Sequence, residues 1–278
     1  GKSTYLYQHV IEESEKYPLK NFIVLVPEQF TMQTQKDLVS MHPRHGIMNI
    51  DVLSFARLAY RVFEETGTKQ MQVLDDEGKN LILRKIAGDY ENKLTVLKGN
   101  IKKLGYISEV KSVISEFTQY DIGEEEIDEM LDHLDEDSRL YYKLKDIRLL
   151  YEGFQDYLRE RYITKEELLD VLNSQVKESE LLKNSVVVLD GFTGFTPVQN
   201  RLILELMRCC KEVWVTVTMD ERENPYAYKH PYQLFGLSKQ MVTTLVRMAG
   251  EDHIEVEEPV CLYGYPVKRF EKNQELAF

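Results

Sequence analysis

Hydrophobic residues follow two different patterns along this chain. In the first pattern, short apolar runs rich in β-branched residues alternate with longer amphipathic segments. Runs of this length and composition are typical of buried strands in a parallel sheet. The predicted strands are Phe22–Val26, Ile47–Leu53, Val186–Leu189 and Val213–Thr218.

Amphipathic segments with helical periodicity precede or follow these strands. The predicted helices are Tyr5–Tyr17, Gln29–Ser40, Phe55–Glu65 and Val198–Cys210. Strands that alternate with helices in this way favour right-handed crossovers. We therefore predict an α/β fold with a parallel sheet flanked by helices.

The second pattern lies between about Leu74 and Glu180, where helical periodicity dominates and no convincing strand occurs. Ser138 is the predicted N-cap of the longest helix there. The predicted helices are Leu74–Ala87, Ile107–Tyr120, Glu124–Leu134, Ser138–Tyr162 and Lys165–Leu172.

This change of pattern divides the chain into domains. We expect an α/β core from residues 1–73 and 181–250, with residues 74–180 inserted as an all-helical subdomain. A last helix is predicted over Pro231–Met248. Residues 251–278 are predicted to be a linker or the start of a further domain.

The net charge of −12 is concentrated in one place. Asp121–Asp137 holds ten acidic and no basic residues, which leaves a net charge of only −2 for the rest. We interpret this run as a solvated helix face, with Ile127, Met130, Leu131 and Leu134 packing inward. Charge therefore neither supports nor excludes DNA binding.

Cysteine content and hydropathy bear on the compartment. Cys209, Cys210 and Cys261 are too few for a disulfide framework and are interpreted as buried thiols of a cytoplasmic protein. No apolar run approaches the roughly 20 residues of a membrane span. We therefore expect no membrane association.

The first candidate for chemistry is Gly1-Lys2-Ser3-Thr4, which is followed by the amphipathic helix predicted over Tyr5–Tyr17. These are the last letters of a phosphate-binding loop, G-x-x-x-x-G-K-[ST], in which the Lys neutralises phosphate oxygens and the hydroxyl binds Mg²⁺. Because the start of the loop is missing, we expect this sequence to be a fragment. We predict no bound nucleotide for the fragment, since its cradle is incomplete.

A second candidate is Asp190, which follows the apolar run Val186–Leu189. This is the Walker B pattern, whose carboxylate helps to hold Mg²⁺ at the carboxyl edge of a sheet. The alternative is a buried strand that meets an Asp-Gly turn. Taken together, the two candidates predict a P-loop NTPase-like (RecA-like) core, with Ser3 and Asp190 as Mg²⁺ ligands.

The sequence from Asp190 to Gln199, DGFTGFTPVQ, resembles the DEFQDTSPLQ pattern of UvrD-type superfamily 1 helicases. Asp190, Phe192, Pro197 and Gln199 align with it without gaps. The phrases VPEQFT, LSFARLAYRV and LDGFTGFTPVQ are most similar to the AddB family, the B subunits of AddAB (RexAB) helicase–nucleases. This resemblance spans roughly residues 1–249.

The resemblance implies a function and partners. It implies ATP with Mg²⁺ in the intact parent protein, an AddA-like helicase–nuclease partner, and DNA as double-strand ends and single strands. It also implies a role in recombinational repair and Chi recognition within an ATP-dependent exonuclease. The nuclease domain and iron–sulfur cluster of the family lie further toward the C-terminus, outside this sequence.

Site residues also follow from the resemblance. The nucleotide would contact Gly1, Lys2, Ser3, Thr4, Asp190 and Gln199. Single-stranded DNA would contact Gln29, Phe30, Thr31, Ser54, Phe55 and Arg57. For Phe55, base stacking and ordinary core packing remain equal alternatives.

One departure from the helicase pattern changes the predicted activity. The Glu that activates the attacking water is replaced by Gly191. Loss of a general base typically costs a factor of about 10² to 10⁴ in rate. We therefore predict a non-motor scaffold with no catalytic residue.

Two other functions remain open. One is an active P-loop ATPase or nucleotide kinase, which would show DNA-stimulated turnover and little response to Gly191→Glu. The other is a protein-interaction module in which the helical insertion docks a partner.

Overall fold

A computed structural model describes residues 1–67, 72–100, 103–159, 162–220, 222–228 and 230–262. They group into two compact units. The sheet unit contains residues 1–67, 173–195 and those from 200 onward. The helical unit contains the described residues between 72 and 172 together with residues 196–199.

Six strands and eleven helices are described, numbered here in chain order. The strands are β1 (Asn21–Leu25), β2 (Ile50–Leu53), β3 (Gln72–Leu74), β4 (Tyr162–Thr164), β5 (Ser185–Leu189) and β6 (Glu212–Val215). The helices are α1 (Lys2–Lys16), α2 (Thr31–Met41), α3 (Phe55–Thr66), α4 (Asp76–Asp89), α5 (Leu104–Gln119), α6 (Glu124–Asp132), α7 (Arg139–Leu158), α8 (Leu168–Gln175), α9 (Glu180–Lys183), α10 (Pro197–Cys209) and α11 (Gly236–Glu251). Single 3₁₀ turns lie at Glu28–Phe30 and Val176–Glu178.

The sheet unit is built on a four-stranded parallel sheet in the order β2-β1-β5-β6. Alternate residues of β1 and β5, including Phe22, Val24 and Val188, join a core with side chains of α1 and α2. The intervening residues, such as Ile23 and Val187, are fully buried as well. Burial on both faces is what the continuous apolar runs predicted, and it confirms the expected α/β fold.

Two predicted strands differ in their bounds. β2 begins at Ile50 and not at Ile47, and the residue before it is Asn49. Its side-chain amide donates to the carbonyl oxygens of Ser14 and Lys20. β6 ends at Val215, where its pairing with β5 stops, and not at Thr218.

The helical unit has its own core, formed mainly by α4, α5 and α7. Leu83, Ile107 and Phe154 are among its most buried side chains. Ser138 caps α7 as predicted, since its hydroxyl accepts the backbone N–H of Tyr141.

The expectation that this region lacks strands is wrong for β4. Tyr162–Thr164 pairs in parallel with Gln72–Leu74, so α7 ends at Leu158 and not at Tyr162. The partner strand lies some 90 residues away, so no local pattern indicates the pairing.

The acidic run packs through fewer residues than expected. Ile127 is completely buried and Leu131 packs against the helical core. Met130, predicted to face inward, is exposed. The acidic side chains Glu124 and Asp128 instead bind Arg148 of α7.

Two expectations near the C-terminus need correction. α11 begins at Gly236 and not at Pro231, since residues 231–235 form turns. Cys261 is exposed, whereas Cys209 and Cys210 are partly buried at the end of α10. Burial raises the pKa of Cys210 to about 12, so its thiol stays protonated.

Candidate functional site

The carboxyl ends of the four parallel strands lie in register. Leu25 pairs with Leu53 on one side and with Leu189 on the other, and Leu189 pairs with Val215. The next residues, Asp190 and Thr216, therefore emerge side by side. Their backbone N–H groups donate to Leu25 O and Leu189 O, each at 3.0 Å.

α1 brings Lys2 to this edge. Lys2 Nζ lies 3.5 Å from Asp190 Oδ1 and 3.1 Å from Thr216 Oγ1. The Thr216 hydroxyl itself donates to Asp190 Oδ1, and Ser3 also hydrogen bonds to the carboxylate. The structure thus brings together the two motifs that jointly predicted a P-loop NTPase-like core.

Tyr7 completes the surroundings of Asp190. It lies one helical turn after Ser3, and its hydroxyl donates to Asp190 Oδ2 at 2.9 Å. The hydroxyl is also 3.2 Å from Thr34 Oγ1 on α2. Since Tyr7 and Asp190 are both buried, this hydrogen bond is shielded from solvent.

Burial and hydrogen bonding set the protonation states here. Burial alone would raise the pKa of Asp190, but the hydrogen bonds from Thr216 and Ser3 and the charge of Lys2 outweigh it and lower that pKa. Burial raises the pKa of Tyr7 to about 12. At neutral pH Asp190 is therefore an anion, and Tyr7 is a neutral donor.

Gly191 follows Asp190 with a φ of 81°. A residue that carries a Cβ is strained at such a φ, whereas glycine is not. A Cβ at this position would lie 3.5 Å from Pro27 Cδ and 4.0 Å from Phe30 Cδ2, which is ordinary contact. The backbone angle, more than the available space, disfavours a glutamate beside Asp190.

Three of the six predicted DNA contacts are exposed. Gln29 and Phe30 lie in the 3₁₀ turn after β1, where Phe30 is 49% exposed, and Arg57 lies in the first turn of α3. Because β1 and β2 are neighbours, both segments follow the same edge of the sheet.

The other three predicted contacts have roles within the protein. Thr31 is buried and donates to Glu28 O, and Ser54 is buried and caps α3 by accepting the N–H of Arg57. Phe55 is only 7% exposed, and its ring centroid lies 5.4 Å from that of Phe192. In this arrangement Phe55 serves core packing.

Three predicted nucleotide contacts take no part in the network around Asp190. Gly1 is the N-cap residue of α1, where its carbonyl oxygen accepts the backbone N–H of Tyr5 at 3.0 Å. Thr4 is exposed on α1. Gln199 belongs to a capping pair at the start of α10, where Thr196 N–H donates to Gln199 Oε1 at 3.0 Å and Gln199 N–H to Thr196 Oγ1 at 3.3 Å.

Sequence reasoning did not identify Tyr7 or Thr216 as parts of the site. The four-residue spacing from Ser3 to Tyr7 places both on one helix face, so a signal for Tyr7 was present. Thr216 lay inside a predicted strand, and only the register of β5 and β6 shows that it meets Asp190.

Neither a metal cluster nor a membrane span occurs among the described residues. No group of three or more His, Cys, Asp or Glu side chains is arranged to hold a metal ion there. None of the helices in this part of the chain combines the length and apolar character needed to cross a membrane.

Comparisons with known proteins connect this geometry to a family. Residues 1–278 match the family described as "ADDB, N-terminal". The chain is 46% identical over 261 residues, 94% of its length, to the B subunit of the ATP-dependent helicase/deoxyribonuclease of Lachnoclostridium phytofermentans. It is 34% identical over 276 residues, 99% of its length, to the same subunit from Clostridium kluyveri.

These matches cover only part of the relatives. The chain spans 23% of the Lachnoclostridium protein and 24% of the Clostridium protein. The match to the family, by contrast, extends over the whole chain. The chain therefore belongs to the AddB N-terminal family.

Proposed function

We propose that this chain is the helicase-like N-terminal part of the B subunit of an ATP-dependent DNA helicase/deoxyribonuclease. It binds DNA and supports Chi recognition without acting as a motor, beside an AddA-like subunit, in the cytoplasmic repair of double-strand breaks. Family membership and the names of the relatives support the assignment to this type of subunit.

A single observation carries the non-motor part of this proposal. Asp190 and Lys2 are in contact at the sheet edge, yet the next residue is Gly191 with a positive φ. An ATPase that uses a Walker B pair requires a carboxylate beside the Asp to activate water. Gly191 has no carboxylate, and its positive φ disfavours a residue that would carry one.

The DNA-binding part is supported by the exposed side chains that follow β1 and β2. The ring of Phe30 provides a surface for base stacking. The amide of Gln29 and the guanidinium of Arg57 provide phosphate contacts. Lys2, whose side chain is 32% exposed, provides a cation for nucleotide phosphate.

The test uses the natural full-length protein that contains this chain, purified without its partner. We expect Arg57→Ala to weaken single-strand binding. The slope of log K against log salt should also become less negative, by about 0.7 for one lost phosphate contact. Arg61→Ala is the matched control, since Arg61 is exposed on the same helix. Equal effects of the two substitutions would contradict the predicted DNA contact.

ATP hydrolysis by the same protein tests the non-motor assignment. We expect negligible turnover with DNA present, and no further loss in Lys2→Ala. Rapid hydrolysis that depends on Lys2 would instead identify an active P-loop ATPase.

A further inference from the structure

We propose that Asp190 is a hydrogen-bond anchor for α1 and not a magnesium ligand, so that the sheet edge at Lys2 and Asp190 binds nucleotide polyphosphate without a divalent cation. Tyr7 is the positioning residue that keeps Asp190 in this role. This inference rests on the proposed nucleotide contact of Lys2 and defines its ligand as a metal-free phosphate chain.

The argument begins with the hydrogen bonds that Asp190 accepts. An ionised carboxylate offers about four lone-pair positions. Protein donors occupy them: Lys2 and Thr216 on Oδ1, Tyr7 on Oδ2, and Ser3 as a further donor to the carboxylate. A magnesium ion at this carboxylate would have to displace one of these donors.

The four donors differ in how readily they can leave. Lys2 is partly exposed and carries a flexible side chain, so it can turn from Asp190 to a phosphate group. Tyr7 is 6% exposed and is held between the sheet and α2. Its hydroxyl would keep only the neutral Thr34 hydroxyl as a partner if Asp190 turned to a metal ion.

Losing a buried hydrogen bond to a charged acceptor costs roughly tenfold or more in an equilibrium. In the natural chain, a metal ion that binds Asp190 would break this hydrogen bond, so the affinity of Asp190 for the metal is lowered by that factor. In Tyr7→Phe the ring remains, the hydroxyl is gone, and one position on Oδ2 becomes free for a metal ion. The substitution therefore separates the two roles of Asp190 with little change in side-chain volume.

The experiment measures binding of a fluorescent ATP analogue to the natural full-length chain, purified without its partner. Each affinity is determined once with excess Mg²⁺ and once with EDTA. Subtraction of the Lys2→Ala signal restricts the result to binding that depends on Lys2. Tyr5→Phe is the matched control, because Tyr5 is exposed on the same helix.

For the natural chain and for Tyr5→Phe we expect affinities with Mg²⁺ and with EDTA to agree within about threefold. For Tyr7→Phe we expect Mg²⁺ to strengthen binding by about tenfold, the value of the lost hydrogen bond. A purely structural role of Tyr7 would weaken both affinities alike. If Tyr7→Phe does not fold, Thr216→Val, which frees a position on Oδ1, has the same expected result.

Besides equal weakening of both affinities by Tyr7→Phe, two results would overturn the inference. In the first, the natural chain binds the analogue at least about tenfold more tightly with Mg²⁺ than with EDTA, and Tyr7→Phe does not change this ratio. Asp190 would then be a metal ligand. The other is no Lys2-dependent binding with either Mg²⁺ or EDTA. The second result leaves the DNA-binding scaffold intact, since Arg57→Ala tests that function separately.

Discussion

Gly191 illustrates how one backbone angle limits the chemistry at this site. At a φ of 81° a residue with a Cβ is strained, so the loop after Asp190 is adapted to glycine. A glutamate at this position requires a different loop conformation as well as a different side chain. We therefore expect that one substitution at position 191 does not create the general base that the proposed non-motor function lacks.

We expect Gly191→Glu to lower the free energy of unfolding by about 1–3 kcal/mol through this strain, and to produce no ATP turnover. Gly194→Glu is the control, because nothing lies within 4 Å of a Cβ there and its φ is not positive. Urea denaturation and an ATPase assay measure the two effects. An unchanged stability together with new turnover would show that the loop accepts the acid.

The buried pair of Lys79 and Glu166 predicts a pH dependence. Lys79 Nζ lies 2.9 and 2.7 Å from the two carboxylate oxygens of Glu166. Burial alone would raise the pKa of Glu166, but the hydrogen bond and charge of Lys79 outweigh it, and the pKa falls below its ordinary value of 4.5. Protonation of Glu166 therefore favours unfolding.

We expect the pair to stabilise the helical unit fully above pH 4.5, and this contribution to disappear as the pH falls through the lower, folded-state pKa. Urea denaturation followed by far-UV circular dichroism between pH 7 and pH 3 measures the effect. Glu166→Gln cannot ionise, so it should lose less stability over this range. An identical pH profile in the variant would exclude the pair as the cause.

Contacts between elements depend on a few buried polar side chains as well as on apolar packing. Asp146 on α7 accepts the backbone N–H groups of Thr95, Val96 and Leu97 at 2.7–3.1 Å. It is almost completely buried, so these hydrogen bonds are not exchanged for water. One carboxylate thereby fixes the segment after α4 against α7.

We expect Asp146→Ala to cost at least about 3 kcal/mol, because it leaves three backbone donors without acceptors. Asp156→Ala is the control on the same helix, where the carboxylate is largely exposed, and it should cost less than about 1 kcal/mol. Chemical denaturation of the two variants compares them. Similar costs would mean that the Asp146 hydrogen bonds contribute little.

Among the described residues, two of the hydrophobic clusters lie in different units. One combines β1, β2 and β5 with α1 and α2, and the other combines α4, α5 and α7. Trp214, the single tryptophan, belongs to the sheet unit, where it stacks on His9. Its fluorescence therefore reports on one unit, while far-UV circular dichroism reports on the helices of both.

We expect Ile23→Ala to lower the midpoint of the tryptophan fluorescence transition, and Leu83→Ala to lower only the circular dichroism transition. Both side chains are fully buried, and each substitution removes about 2–5 kcal/mol from its own unit. Both probes are followed in one urea titration. If they shift together in both variants, the units unfold as one.

Local pattern was sufficient for the strands of the main sheet, most helices, the Ser138 cap and the two motifs that meet at Lys2 and Asp190. Hydrophobic periodicity and capping involve residues close in sequence, so the chain alone carries that information.

The remaining features depended on partners distant in sequence. Tyr7 and Asp190 are 183 positions apart, and β4 exists because it pairs with β3. The burial of Phe55 and the exposure of Cys261 likewise follow from which surfaces are covered. Strand register and packing decide these contacts, and neither is a property of a local stretch of sequence.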